Sequence, residues 1–209
     1  MPENKNHWYD GWFYDTFIAP NQDKLFEKIK DYIETGSRII DVGCGTGRFS
    51  FYVAEKSQYI LGIDLSSRNI ERANLVLKKN PNSKISFQHK NIDEIIYKNN
   101  IHFDYAVLTY VIHEVAENER INLLNNIFLI ADKIIIGDYL VPKQAGLWSL
   151  INDAVEFAAG SNHYRNYKNF VANNGIKGLA DLTRIKIITE IKNQPATSHL
   201  VIIAKSNIL

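Results

Sequence analysis

The chain has one cysteine, one methionine and five prolines in 209 residues, and these scarcities narrow what it can be. A lone Cys44 leaves no internal disulfide to staple a secreted scaffold and no group of thiols to hold a metal, so no metal centre is expected. No apolar run approaches the roughly 20 residues of a membrane-spanning helix. Residues 1–7, Met-Pro-Glu-Asn-Lys-Asn-His, show no apolar signal-peptide segment, so a cytoplasmic protein is expected, without a membrane partner. Excess charge is missing too: 24 Lys and Arg stand against 23 Asp and Glu, and a net charge of +1 supplies no field to gather nucleic acid. Apolar residues, by contrast, make up 45% of the chain, enough to build one full core in a single domain.

The most informative stretch is Arg38-Ile-Ile-Asp-Val-Gly-Cys-Gly-Thr-Gly-Arg48, an apolar strand that runs through a carboxylate into a glycine-rich turn. Gly43, Gly45 and Gly47 let the backbone bend tightly and approach a ligand, and a helix opening after Thr46 turns its amide N–H groups toward the loop. About 20 residues on, Tyr59-Ile-Leu-Gly-Ile-Asp64 is a second apolar strand ending in a carboxylate, where a ribose diol needs an acceptor. Together the two read as a βαβ nucleoside site. Asp41 would repel the pyrophosphate of a dinucleotide, whereas S-adenosylmethionine has no phosphate and carries an ammonium. The spacing Gly43, Gly45, Gly47 also departs from the G-x-G-x-x-G of nicotinamide dinucleotide sites. An NAD(P)-binding oxidoreductase and a non-catalytic nucleoside-binding regulator remain the alternative readings.

The residues Asp41-Val-Gly-Cys-Gly-Thr-Gly47 with Gly62-Ile-Asp64-Leu-Ser66 resemble the class I S-adenosylmethionine-dependent methyltransferases, of the type that acts on small molecules. The resemblance implies an α/β, Rossmann-like doubly wound sheet of seven strands, mostly parallel, with a C-terminal antiparallel hairpin. It also implies S-adenosylmethionine as cofactor, held by Asp41, Gly43, Cys44, Gly45, Asp64, Leu65 and Thr109. Asn91, with Ile92 beside it, falls where the family reads adenine. Asp93 competes with Asn91 for that role, and either residue could simply cap a short helix through Tyr97.

Periodicity supports the same architecture. Leu25, Phe26, Ile29, Tyr32 and Ile33 recur at helical spacing, with Gly36 placed to cap the C-terminus. Strands are expected at 59–64, 84–89, 103–110 and 133–140, helices at 46–56, from the Ser66 cap to Lys79, and at 119–130 capped by Asn118, and a hairpin at 183–192 and 197–205. The single domain then divides into a lid and leader helix (1–36), a cofactor-binding core (37–140), substrate-cover helices (141–182) and the hairpin (183–209).

Ligands of open α/β sheets lie beyond the carboxyl ends of the strands. After the fourth strand comes Thr109-Tyr-Val-Ile-His113-Glu, and His113 is the candidate catalytic base, with Glu114 available to set its tautomer or to face solvent. A structural histidine hydrogen-bonded into the loop is the competing reading. Tyr139 follows the fifth strand. In the cover, Trp148, Ile151 and Val155 mark one helical face, and His163, Tyr164 and Arg165 stand beyond Gly160; Tyr139, Trp148, His163, Tyr164 and Arg165 are the candidate substrate contacts. The aromatic run Trp8 to Phe17 adds Trp12 to that set, and Tyr9 and Tyr14 to the cofactor contacts, since ring faces attract a sulfonium. The acceptor expected is a small molecule; the oligomeric state is not readable.

Overall fold

The computed structural model describes residues 23–97, 101–143, 147–183, 185–193 and 196–205, with the side chains of residues 147–151 outside that set. Strands β1 (Ser37–Val42), β2 (Ser57–Asp64), β3 (Ile85–His89), β4 (Phe103–Thr109), β5 (Ala131–Tyr139), β6 (Ile185–Lys192) and β7 (Ser198–Lys205) form one sheet in the order β3-β2-β1-β4-β5-β7-β6. The first five strands pair in parallel, and β7 runs antiparallel to both β5 and β6. The seven-stranded, mostly parallel sheet with an antiparallel hairpin is the one expected.

Neighbouring residues of each central strand point to opposite faces, and this alternation builds two cores. Ile39, Ile60, Tyr105 and Ile135 face one side, where α1 (Asp23–Tyr32), α2 (Arg48–Val53) and α3 (Ser67–Lys79) contribute Leu25, Phe26, Phe49, Val53 and Ile70. Ile40, Leu61, Ala106 and Ile134 face the other, covered by α4 (Ile92–Ile96), α5 (Glu117–Ile127), α7 (Ser161–Ala172) and α8 (Gly175–Leu182). A further helix, α6 (Leu147–Ala158), lies between β5 and α7 in the chain. The order reverses between β1 and β4, so their carboxyl ends open the crevice where such sheets bind ligands.

Several boundaries differ from the sequence reading. The helix after the turn is α-helical only to Val53 and tightens to a 3-10 turn over Ala54–Lys56. Asn118 does not cap α5: Ala116 occupies the cap position, and Glu117 and Glu119 in the first turn answer the helix dipole instead. Gly36 adopts φ 87 but stands beyond the end of α1, and its N–H donates to the Lys56 carbonyl at 2.6 Å, tying the turn before β1 to the one before β2. The helix α8 was not foreseen as a separate element.

Candidate active site

The glycine turn is built from three left-handed glycines at alternate positions, Gly43, Gly45 and Gly47, at φ 71, 54 and 84. A Cβ on Gly43 would lie 2.5 Å from Val111, and one on Gly47 would lie 2.4 Å from Phe87, so both positions require glycine for space as well as for conformation. Asp64 braces the turn from the next strand: its carboxylate accepts the Gly45 N–H at 2.8 Å and the Ser66 N–H at 2.7 Å. Leu65 follows, its carbonyl 3.0 Å from His89 Nε2. Cys44 is buried, and its thiol is pushed well up by burial and by Asp41 and Asp64, which suits packing and not nucleophilic chemistry.

Asp41 is fully buried on β1. Ser50 donates to its Oδ2 at 2.6 Å, while Oδ1 has no hydrogen-bond partner among the described residues. Burial pushes this carboxyl up to about 7, against the Ser50 hydrogen bond and helped by the nearby charge of Asp64. Gly43, Cys44, Thr46, Arg48 and Thr109 line one cleft with Phe26 and Phe49. Asn91 is the N-cap of α4: its side chain accepts the Glu94 N–H at 2.9 Å, and Glu94 accepts the Asn91 N–H at 3.3 Å, a reciprocal capping box. Asp93 accepts a hydrogen bond from Asn126 at 2.7 Å on an exposed surface, away from the turn. Ile92 lies in the core, 6% exposed.

On the other side of the crevice, β4 exits through Tyr110, a non-glycine residue at φ 56, and delivers His113 into the interior. His113 is 2% exposed; its Nδ1 donates to Asp138 Oδ1 at 2.7 Å. Asp138, fully buried on β5, also accepts the N–H of Tyr139 at 2.7 Å and that of His113 at 3.3 Å. The Nδ1 proton is therefore held by Asp138; Glu114, which the sequence offered either to set the tautomer or to face solvent, has Oε1 4.0 Å from the opposite nitrogen, Nε2. That Nε2 is buried without a hydrogen-bond partner among the described residues and faces Glu156 Oε2 at 3.5 Å.

Glu156, on α6, accepts from Tyr139 Oη at 2.6 Å and makes a close contact with His163 Nε2 on α7. The Nδ1 of His163 lies 3.8 Å from Glu114 Oε1. Burial disfavours charge on His113, but Asp138 and Glu156 outweigh it and raise its pKa well above the ordinary value; His163 is raised in the same way by Glu156 and Glu114. Burial pushes Glu156 up, yet the two histidines bring it well below the usual carboxylate range. The carboxylates around His113 thus favour its protonated form against the cost of burial.

Backbone geometry under this cluster is pinned. Arg120 of α5, 1% exposed, donates to the carbonyls of Val115 at 2.9 Å, Asn166 at 2.7 Å and His113 at 3.4 Å, and to Asn169 Oδ1 at 2.8 Å. Asn166 in turn donates to the Glu114 carbonyl at 2.7 Å. Of the candidate substrate contacts, Tyr139 and His163 lie against His113, whereas Arg165 is exposed and bonds Asn162 within its own helix, and Tyr164 packs on Phe157. Tyr9, Trp12 and Tyr14, and the side chain of Trp148, lie outside the described residues. The sequence reading missed Asp138, Glu156, Arg120 and Asn166. Asp138 had a signal: a carboxylate closing an apolar strand, as Asp41 and Asp64 do.

Comparison with known proteins agrees with this geometry. A family described as a methyltransferase domain matches residues 39–131. An uncharacterized RNA methyltransferase of Mycoplasma mobile is 23% identical over 84 residues, 40% of this chain and 23% of its own length. The chain spans less than a quarter of the length of the curated relatives it first matches. Among solved structures, magnesium protoporphyrin IX methyltransferase (ChlM) of Synechocystis PCC 6803 with bound SAH superposes with a TM-score of 0.64 at 14% identity, covering 95% of this chain and 91% of that one. The N-methyltransferase NodS of Bradyrhizobium japonicum WM9 with SAH gives 0.63 at 16% identity, covering 95% and 93%. With its glycine turn between two strand-end carboxylates, its strand order and the match over residues 39–131, the chain carries a methyltransferase domain of the S-adenosylmethionine-dependent kind.

Proposed function

We propose that the chain transfers a methyl group from S-adenosylmethionine to a small, partly apolar molecule bound beside His113. The observation that carries the cofactor half is Asp41 Oδ1, a buried carboxylate oxygen near the end of β1 with no hydrogen-bond partner among the described residues. An amino-acid ammonium answers such a group, whereas a pyrophosphate repels it. The glycine cradle fits the same cofactor, and Asp64, at the end of β2 beside the turn, stands where a ribose diol needs an acceptor. Once bound, S-adenosylmethionine supplies an electrophilic methyl carbon, and the chain's part is to hold acceptor and donor in line and to keep water out.

For the acceptor, the support is enclosure. His113, Tyr139, His163 and Tyr167 form a ring-lined, carboxylate-containing interior under α6 and α7, with the few converging polar groups typical of small-ligand sites. ChlM, over which nearly the whole chain superposes, is named for a small acceptor. The RNA methyltransferase among the relatives favours a second reading, an RNA acceptor, but the family match ends at residue 131, before α6, α7 and α8 begin. A labelled-methyl assay across small metabolites, RNA and protein tests the reading. Small molecules should be labelled, and His113→Gln should lower turnover by roughly 10²–10⁴ while cofactor affinity stays within a few-fold. Labelling of RNA alone overturns the acceptor class.

A further inference from the structure

Three side chains from two segments converge on one small volume. His113, Glu114 and His163 each present a ligand-type atom, and these atoms all lie within 4.8 Å of one another. The measured edges are 4.0 Å from Glu114 Oε1 to His113 Nε2 and 3.8 Å from the same oxygen to His163 Nδ1. Metal–ligand bonds of about 2.1 Å place neighbouring ligands about 3–3.5 Å apart, so a shift of Glu114 by roughly half an ångström closes its two edges, while the two imidazole nitrogens, within 4.8 Å of each other, must also draw together on the ion. Glu114 is the member able to make that shift, since its side chain is 39% exposed while its backbone is held by Asn166.

The surroundings of each histidine match what a metal ligand needs. Metal-binding imidazoles give their other ring N–H to a carboxylate, which fixes the ring and raises the basicity of the binding nitrogen. His113 gives Nδ1–H to Asp138, and His163 gives Nε2–H to Glu156; both carboxylates are buried. The nitrogen left on His113, Nε2, is buried with no hydrogen-bond partner among the described residues, and it faces Glu114 Oε1 at 4.0 Å. Carboxylate repulsion across this volume also needs a positive charge to offset it, from protons or from a dication.

We propose that His113, Glu114 and His163 bind one divalent first-row transition-metal ion, with Asp138 and Glu156 orienting the two imidazoles. Two nitrogen ligands and one oxygen favour zinc, manganese or iron over calcium and magnesium, which take oxygen donors. Three protein ligands leave coordination positions for an acceptor oxygen or nitrogen, whose proton the ion makes easier to lose. The ion would thus do what an imidazolium cannot. The metal site is independent of the methyl-transfer reading, being given by the positions of His113, Glu114 and His163.

The test uses the full chain stripped with a chelator, without cofactor or acceptor, titrated with Zn²⁺ by calorimetry and with Co²⁺ by visible absorption. One ion per chain should bind with micromolar or tighter affinity, and Co²⁺ should develop d–d bands. Glu114→Gln and His163→Ala should each weaken binding at least tenfold, and Asp138→Asn by about 10–100-fold through the orientation of His113. His102→Ala, which removes an exposed histidine paired with Asp132, should leave it unchanged. Circular dichroism checks each fold; if His163→Ala does not fold, the partly exposed Glu114 position carries the result. Absence of stoichiometric binding, or binding equal in wild type, Glu114→Gln and His163→Ala, overturns the proposal. Methyl transfer measured separately in chelator distinguishes the two readings: a chain that binds cofactor but no metal loses only the metal site.

Discussion

Asp41 gives two measurable consequences at the residue scale. Its folded pKa, about 7, lies above the ordinary 3.8, so its contribution to stability is fully present below about pH 4 and is lost as pH rises through 7. Denaturant unfolding across that window should show a decline with a slope of at most about 1.4 kcal/mol per pH unit from this group, and Asp41→Asn should remove it. An ammonium placed against Oδ1 favours the ionised form, so S-adenosylmethionine binding near pH 6 should release a proton. Calorimetry in buffers of different ionisation enthalpy should detect that release in the wild type and not in Asp41→Asn. Asp64 acts differently, because it holds the Gly45 and Ser66 amides as well as facing the ribose position. Asp64→Ala should cost about tenfold to a hundredfold in cofactor affinity, with no comparable binding of NAD by either protein; tight NAD binding would contradict the cofactor assignment.

At the scale of elements, Arg120 is the tie between α5, α7 and the loop that carries His113. Hydrogen bonds from a charged group to buried carbonyls are worth about 1.5–3 kcal/mol each, but partial relaxation limits the loss. Arg120→Met should therefore destabilise the chain by about 3 kcal/mol in urea unfolding and lower turnover through the displaced loop. An unchanged midpoint would mean that the loop is held by other contacts. The legibility of these elements followed the same division. The glycine turn, the strands and the cap at Ser66 were readable because their signals are local: left-handed glycines, alternating apolar runs, a serine whose side chain accepts the Asn69 N–H at 3.2 Å. Asn118 misled because acidic residues in a first turn can start a helix without a side-chain cap. Glu156 and Arg120 were not readable, since a charged residue on a helix looks solvent-facing until the partner it is buried against is known, and those partners lie on other segments.

At the scale of the whole molecule, the question is what the aromatic segment before α1 contributes. Every strand and both cores of the described residues are built from Leu25 onward, with the sheet beginning at Ser37. Folding free energy in such a domain comes chiefly from burying those cores, so the sheet does not need residues 1–20 in order to form. Methyl transfer has a different requirement, a site that excludes water and holds a sulfonium, and aromatic side chains near the crevice would serve both ends. Deleting residues 1–20 should accordingly leave circular dichroism and cooperative unfolding nearly intact while turnover falls and cofactor affinity weakens. Parallel loss of fold and activity would make the segment a structural anchor, and full activity would remove Tyr9, Trp12 and Tyr14 from the site. The separation of the two readouts is the discriminating result, because only a segment acting on the crevice lowers turnover without loosening the cores.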